Sequence, residues 1–429
     1  MTTVIPPSPY APALGAAVPS VAPPVRAGAR LPARDAADIR RRMMLNCCKW
    51  DPQIGDANTL ADFPLVLSSR AWATLSQLAE SAGAELLEAE RELLSRPDLH
   101  ATLGISHAAR HALRAARYHA RSPVDRIMRF DFHWTMDGWR ASEVNSDVPG
   151  GFTESSSLPQ MMRDFYGPAV PAGDPAGIWV QTIALAIQDR PVALLSAPGY
   201  VEDAQVVAYL ASRLRKCGMT SVCVSPGQIR FDGHVAVIEC PPYRGPAGAV
   251  VRFFQAEWLP KLPARCGWPN YFGGSVTPIF NPATAILTES KRLPLVWDQL
   301  RTPMRCWKSL LPESRDARGL IGRRDEGWIF KTALCNNGDT VVDPRRLTPR
   351  ERIKLAWHIR LHGRRWLAQR RFETVPIDSP VGPIYPCIGV YVVDGRVAGA
   401  YGRFASGPVI DYAAVDAAVF IDAADRDEQ

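Results

Sequence analysis

The sequence predicts a mixed α/β (α+β) chain of several packing units, on three observations. Helical periodicity fills most of 35–122, the pattern turns to short alternating runs around Asp137-Gly138, and from about 173 helical and extended segments alternate. With 47% apolar and 22% charged residues in 429, disordered, collagen-like and fibrous classes are excluded, and one core is too few.

Residues 1–34 set prolines among alanines and read as an arm without a core, with no basic residue placed to make it a signal peptide. A helical region, 35–122, follows: one helix from an N-cap at Asp35 to about 48, a longer one over 68–94 with Leu75, Leu78, Leu86, Leu87 and Leu94 at helical spacing, and a third over 107–119. In 123–170, runs at 126–132 and 139–144 flank Asp137-Gly138, a strong hairpin signal. Over 171–258, helices at 179–187 and 204–214 alternate with extended runs at 192–195, 221–224, 235–238 and 250–254, as in an α/β unit with a partly parallel sheet. After a Pro/Gly-rich break at 259–278, the region 259–422 offers a helix over 283–292, with Pro282 at its start and Pro294 at its end. A strand at 328–331, a helix over 349–366 and strands at 388–393 and 397–401 around Asp394-Gly395 complete it, before an acidic tail, 423–429.

The formal charge of +7 suits anionic small substrates as well as nucleic acid. Only seven of the 50 basic residues are lysines, and the arginines are interspersed with acids, so no nucleic-acid partner is expected. No run of ~18 apolar residues is present, so neither a membrane span nor a membrane partner is expected. Nine cysteines without a CxxC pair fit a reducing, cytoplasmic setting. The chain has no Gly-Lys dipeptide, GxGxxG or GxSxG, which removes the P-loop, dinucleotide-binding and serine-hydrolase readings. His358 and His362 lack the glutamate of a zinc-protease helix and read as a surface pair.

The chemistry concentrates in the hairpin. Strand alternation puts Arg129 and Asp131 on one face and Glu143 and Asn145 on one face, with 131 opposite 143–145. Two carboxylates and an amide are hard oxygen ligands suited to Mg²⁺ when nucleotide phosphates complete the shell, and Arg129 offers a bidentate donor. The alternative is a hairpin whose polar face is simply wet.

These motifs resemble the synthetase domain of glutathionylspermidine synthases, ATP-grasp carboxylate–amine ligases of permuted order. The resemblance rests on Arg129-x-Asp131 followed by Glu143-x-Asn145, then Asn281-Pro282, Lys291, Trp328-Ile-Phe-Lys331, Trp366-Leu-Ala-Gln369, Tyr385-Pro-Cys-Ile-Gly-Val-Tyr and Gly399-Ala-Tyr-Gly-Arg403. It implies an ATP-grasp-like, permuted fold with an α/β pre-ATP-grasp-type unit, and ATP and Mg²⁺ as cofactors. It implies Asp131, Glu143 and Asn145 on the metal, Lys291, Lys331, Gln369 and Arg370 on the nucleotide, and Arg129 and Arg403 at the reacting phosphate. Ser146 and Asp147 are the substrate candidates, and 336–339 stands where the family has a phosphate-covering loop. The implied reaction joins a peptide-like carboxylate to an amine through an acyl phosphate. Val148 and Gly150 are apolar where contacts to a tripeptide thiol belong, so glutathione and spermidine are the family's default only. Rival readings are a nucleotide-binding protein without ligation and a basic interaction protein.

Overall fold

The computed structural model describes residues 23–54, 57–116, 126–187, 189–320, 327–334, 341–410 and 413–422. The acidic tail, the loop 336–339 and most of the proline-rich arm lie outside the described residues.

A five-stranded antiparallel sheet forms the centre. Its order is Val415–Ala417, Arg396–Ala405, Tyr385–Val393, Ile127–Thr135 and Gly138–Asn145. Two hairpins some 250 residues apart thus share one sheet, with Tyr391 opposite Arg129 and Gly389 opposite Asp131. Both hairpins turn where expected, and Asp394 takes a positive φ of 48° in the second. Beneath the sheet runs the helix Ser69–Leu94, capped by the Ser68 hydroxyl, which accepts from the Ala71 amide at 3.1 Å. Leu75, Ala79, Ala82, Leu86, Ala89 and Leu93 face inward, and a Cβ on Gly83 would stand 3.3 Å from the Met128 methyl. Small residues let helix and sheet approach, while Leu78, Leu87 and Leu94 sit at the edge of the contact.

The α/β unit carries a wholly parallel four-stranded sheet, ordered Ile279–Phe280, Ala249–Phe253, Val192–Ser196 and Ser221–Val224. Helices Pro175–Ala186 and Val201–Lys216 belong to this unit, and its middle strands are buried almost throughout, as in a covered parallel sheet. A small sheet, ordered Ser314–Asp316, Trp366–Arg370 and Trp328–Thr332, packs beneath the helix Pro349–His362 through Trp328, Ile359, Trp366 and Ala368.

Several expectations need correction. The arm does not extend to 34: Val25–Ala27 pairs antiparallel with Leu65–Leu67, which continues to Val419–Ile421 and Val170–Pro171. The first helix is Ala33–Cys47, with Pro32 at its N-cap, so Asp35 sits in the first turn, where its charge suits the helix dipole. No helix spans 283–292; a 3₁₀ turn at Ala283–Ala285 leads to the short helix Ile286–Glu289. From there, Ser290 donates to the Leu103 carbonyl, and the Arg292 guanidinium donates to the Thr102 and Trp366 carbonyls, drawing the chain off as a strap. The helix expected to reach 366 stops at His362, because Trp366–Arg370 is claimed by the sheet.

Candidate active site

The central hairpin pairs Arg129 with Asn145 and Asp131 with Glu143, then slips by one residue between Asp131 and Phe132. This bulge frees Ser142: its hydroxyl lies 3.1 Å from His133 Nε2, and its carbonyl accepts from Lys331 Nζ at 3.2 Å. Burial holds the His133 imidazole down to about 4, so it is neutral here at physiological pH.

Arg129 grips Asp131 with two bonds, Nε to Oδ1 at 2.8 Å and a second nitrogen to Oδ2 at 3.0 Å, and donates to the Gly150 carbonyl at 2.8 Å. These bonds engage each of its three nitrogens once and fix the carboxylate. The same Oδ2 accepts from Asn145 at 3.3 Å and from Arg403 at 3.2 Å. Arg403, opposite Cys387 on the second hairpin, keeps a buried Nε without a partner, an orphaned donor that an anion in the cleft would satisfy.

Glu143 meets Lys291 Nζ at 3.2 Å. Burial alone would raise its carboxyl, but Lys291, Lys331 and Arg403 outweigh that and hold it down to about 2. Lys331 donates to the Gln369 side-chain carbonyl at 2.8 Å, and Gln369 Nε2 donates to the Ser314 hydroxyl at 3.3 Å. Arg370 lies 4.2 Å over the Trp328 ring and pairs with Glu313 at 3.3 Å.

Arg129, Asp131, Glu143, Asn145, Lys331, Gln369, Arg370 and Arg403 all line one cleft of about 320 Å³, which suits a small-molecule ligand. Lys291 lines a smaller apolar recess that opens between Glu143, Trp297 and Gln369. Ser146 and Asp147, the substrate candidates, are absent from the cleft and turn inward. Ser146 binds Thr288 at 3.0 Å, while Asp147 pairs with buried Arg252 and accepts from the Ala256 amide at 2.7 Å.

The sequence reading missed the cleft's other end. Lys49, 4% exposed, lies 2.7 Å from Glu154, 3.1 Å from Asp51 and 3.3 Å from Asp416, and Tyr401 also donates to Asp416. Burial opposes the Lys49 charge, but these three carboxylates hold its pKa above the usual range. Nearby, burial and Glu202 push Asp203 up to about 7, and its Oδ2 has no partner. Thr153, in the first turn of the helix Phe152–Met162 that Gly151 caps, has a buried hydroxyl without a partner. The rarity of lysine was the available signal for Lys49; nothing local ties it to Glu154 or Asp416.

Among the described residues, no three His, Cys, Asp or Glu side chains form a metal cage. Two ionisable carboxylates with an amide beside them nevertheless fit Mg²⁺, which keeps few protein ligands when phosphates supply the rest. The cations around them, with the orphaned Arg403 Nε, fit the phosphates.

Residues 61–422 match the family described as glutathionylspermidine synthase preATP-grasp. A glutathione synthetase-like effector from Globodera pallida, in its apo form, is 12% identical with a TM-score of 0.61, over 91% of this chain and 96% of that one. A putative gamma-glutamylcysteine synthetase from Methylobacillus flagellatus is 14% identical with a TM-score of 0.42, over 76% and 83%. No curated protein matches the sequence. The chain belongs to the glutathionylspermidine synthase preATP-grasp family, within the ATP-grasp carboxylate–amine ligase superfamily.

Proposed function

We propose that the chain is an ATP-dependent C–N ligase that joins a peptide-like carboxylate to an amine through an acyl phosphate. The observation that carries this reading is the meeting, in one cleft, of the Asp131–Glu143–Asn145 face with Lys331, Gln369 and Arg403, drawn from three separate segments. Asp131, Glu143 and Asn145 would hold Mg²⁺, with Lys331, Gln369, Lys291 and Arg370 on the nucleotide. Bound Mg-ATP supplies the phosphoryl group and the charge that neutralises it. Arg129 orients Asp131 through its two hydrogen bonds. Arg403 offers its unpartnered Nε where negative charge would develop. At the other end, Asp51, Glu154, Asp203 and Asp416 outnumber Lys49 and favour an ammonium group.

Glutathione is not singled out: Val148 offers no polar side chain, and the Gly150 carbonyl is already taken by Arg129 and Tyr391. The test is ADP and phosphate release with Mg-ATP across a panel of small carboxylates and amines, glutathione and spermidine included. Release that requires both an acid and an amine is the expected result. Release indifferent to the amine would leave an ATPase and remove the ligase.

A further inference from the structure

Away from the cleft, the helix Pro349–His362 carries two apolar lines on opposite sides. The inner line, Leu355 and Ile359, packs on the small sheet. The outer line, Ile353, Trp357 and Leu361, repeats every fourth residue and stays 59%, 59% and 71% exposed. Three large apolar side chains in a row on a polar helix are not scattered exposure but a stripe of roughly 12 Å.

The flanks are basic. Arg350, Arg352, Lys354, Arg360, Arg364 and Arg365 are all exposed. Against one acid, Glu351, the segment 349–365 holds +5 of the chain's net +7. Glu351 itself is engaged at the helix start, where it accepts from the Thr348 amide at 2.8 Å. This local basic excess thus lies beside one exposed apolar stripe.

We propose that this outer face docks on an anionic lipid surface, independently of the ligase reading. An apolar stripe with a central tryptophan, bordered by long cationic side chains, is the chemistry of a helix lying at the boundary of headgroups and acyl chains. A second copy of the same face would meet its own positive charge. Nucleic acid would use the charge and leave Ile353 and Leu361 idle. The sequence alone led to the opposite expectation, because a short surface helix contains no spanning segment.

The test is co-sedimentation of the full chain with vesicles of phosphatidylcholine alone, or with about one-third phosphatidylserine, at low and high salt. The expected result is binding to the anionic vesicles only, weakened by salt, and reduced at least about tenfold by Trp357→Ser or by Ile353→Ser with Leu361→Ser. Trp357 is largely exposed, so its replacement leaves the fold intact, and an unchanged melting temperature checks this. Absence of binding to either vesicle overturns the proposal. So does binding that survives Trp357→Ser, which needs charge alone, and so does self-association abolished by Trp357→Ser without vesicle binding, which assigns the stripe to a second copy.

Discussion

The two ends of the cleft hold the same kinds of side chain in opposite electrostatic states. At the hairpin end every acid is matched: Asp131 by Arg129 and Arg403, and Glu143 by Lys291 and the more distant Lys331, which hold its carboxyl low. At the far end three carboxylates crowd one lysine, and Asp203 is pushed toward neutrality by burial with Glu202 beside it. Burial is common to both; what differs is the count of cations within reach. The matched end is set for metal and phosphate, the under-matched end for a positive ligand.

The largest effect expected is at the matched end. Asp131→Asn removes the carboxylate that four hydrogen bonds fix, and Mg-ATP-dependent ADP release should fall by about 10²–10³ or more. Undiminished release would detach the hairpin from catalysis. Next, Lys49→Met leaves Asp51, Glu154 and Asp416 facing one another, and a loss of about 3–5 kcal/mol in denaturant unfolding is expected. Adding Glu154→Gln should restore part of it; no recovery would mean that Lys49 matters for packing and not for charge.

Lys331→Ala should weaken ATP binding by about 1.5–3 kcal/mol, measured by calorimetry, and unchanged affinity would take Lys331 out of the nucleotide site. The remaining effects are in pH dependence, and the two ends should run in opposite senses. Glu143, lowered from 4.5 to about 2, contributes stability above pH 4.5 that is lost as pH falls toward 2. Asp203, raised from 3.8 to about 7, carries no penalty below pH 3.8, and stability is lost as pH rises to about 7. Asp203→Asn should therefore raise the melting temperature at about pH 8 and leave it nearly unchanged at about pH 4. An equal shift at both pH values would contradict the raised carboxyl.

Much of this was legible locally. Asp137-Gly138 fixed a turn, the turn fixed a register, and the register put Asp131 opposite Glu143. The leucine spacing marked the helix Ser69–Leu94, and of the five leucines Leu75 and Leu86 lie on its inner face while Leu78, Leu87 and Leu94 sit at its edge. The bulge beside Asp131 and the Arg292 strap that carries Lys291 were not legible, because each depends on partners remote in sequence. Ser146 and Asp147 show the same limit: polar residues next to a site motif are consumed by partners more than 100 positions away, Ser146 by Thr288 and Asp147 by buried Arg252.

By itself the sequence determined the long helix, the two hairpin turns and the acid–amide face, since these follow from side-chain periodicity and turn chemistry over a few residues. Only the tertiary structure decided that the two hairpins share one sheet, that Lys49 lies among Asp51, Glu154 and Asp416, and that Arg129 orients Asp131 while Arg403 keeps a donor open. The reason is that charge state and hydrogen-bond satisfaction depend on distances across the fold, and no local pattern encodes a neighbour 367 residues away.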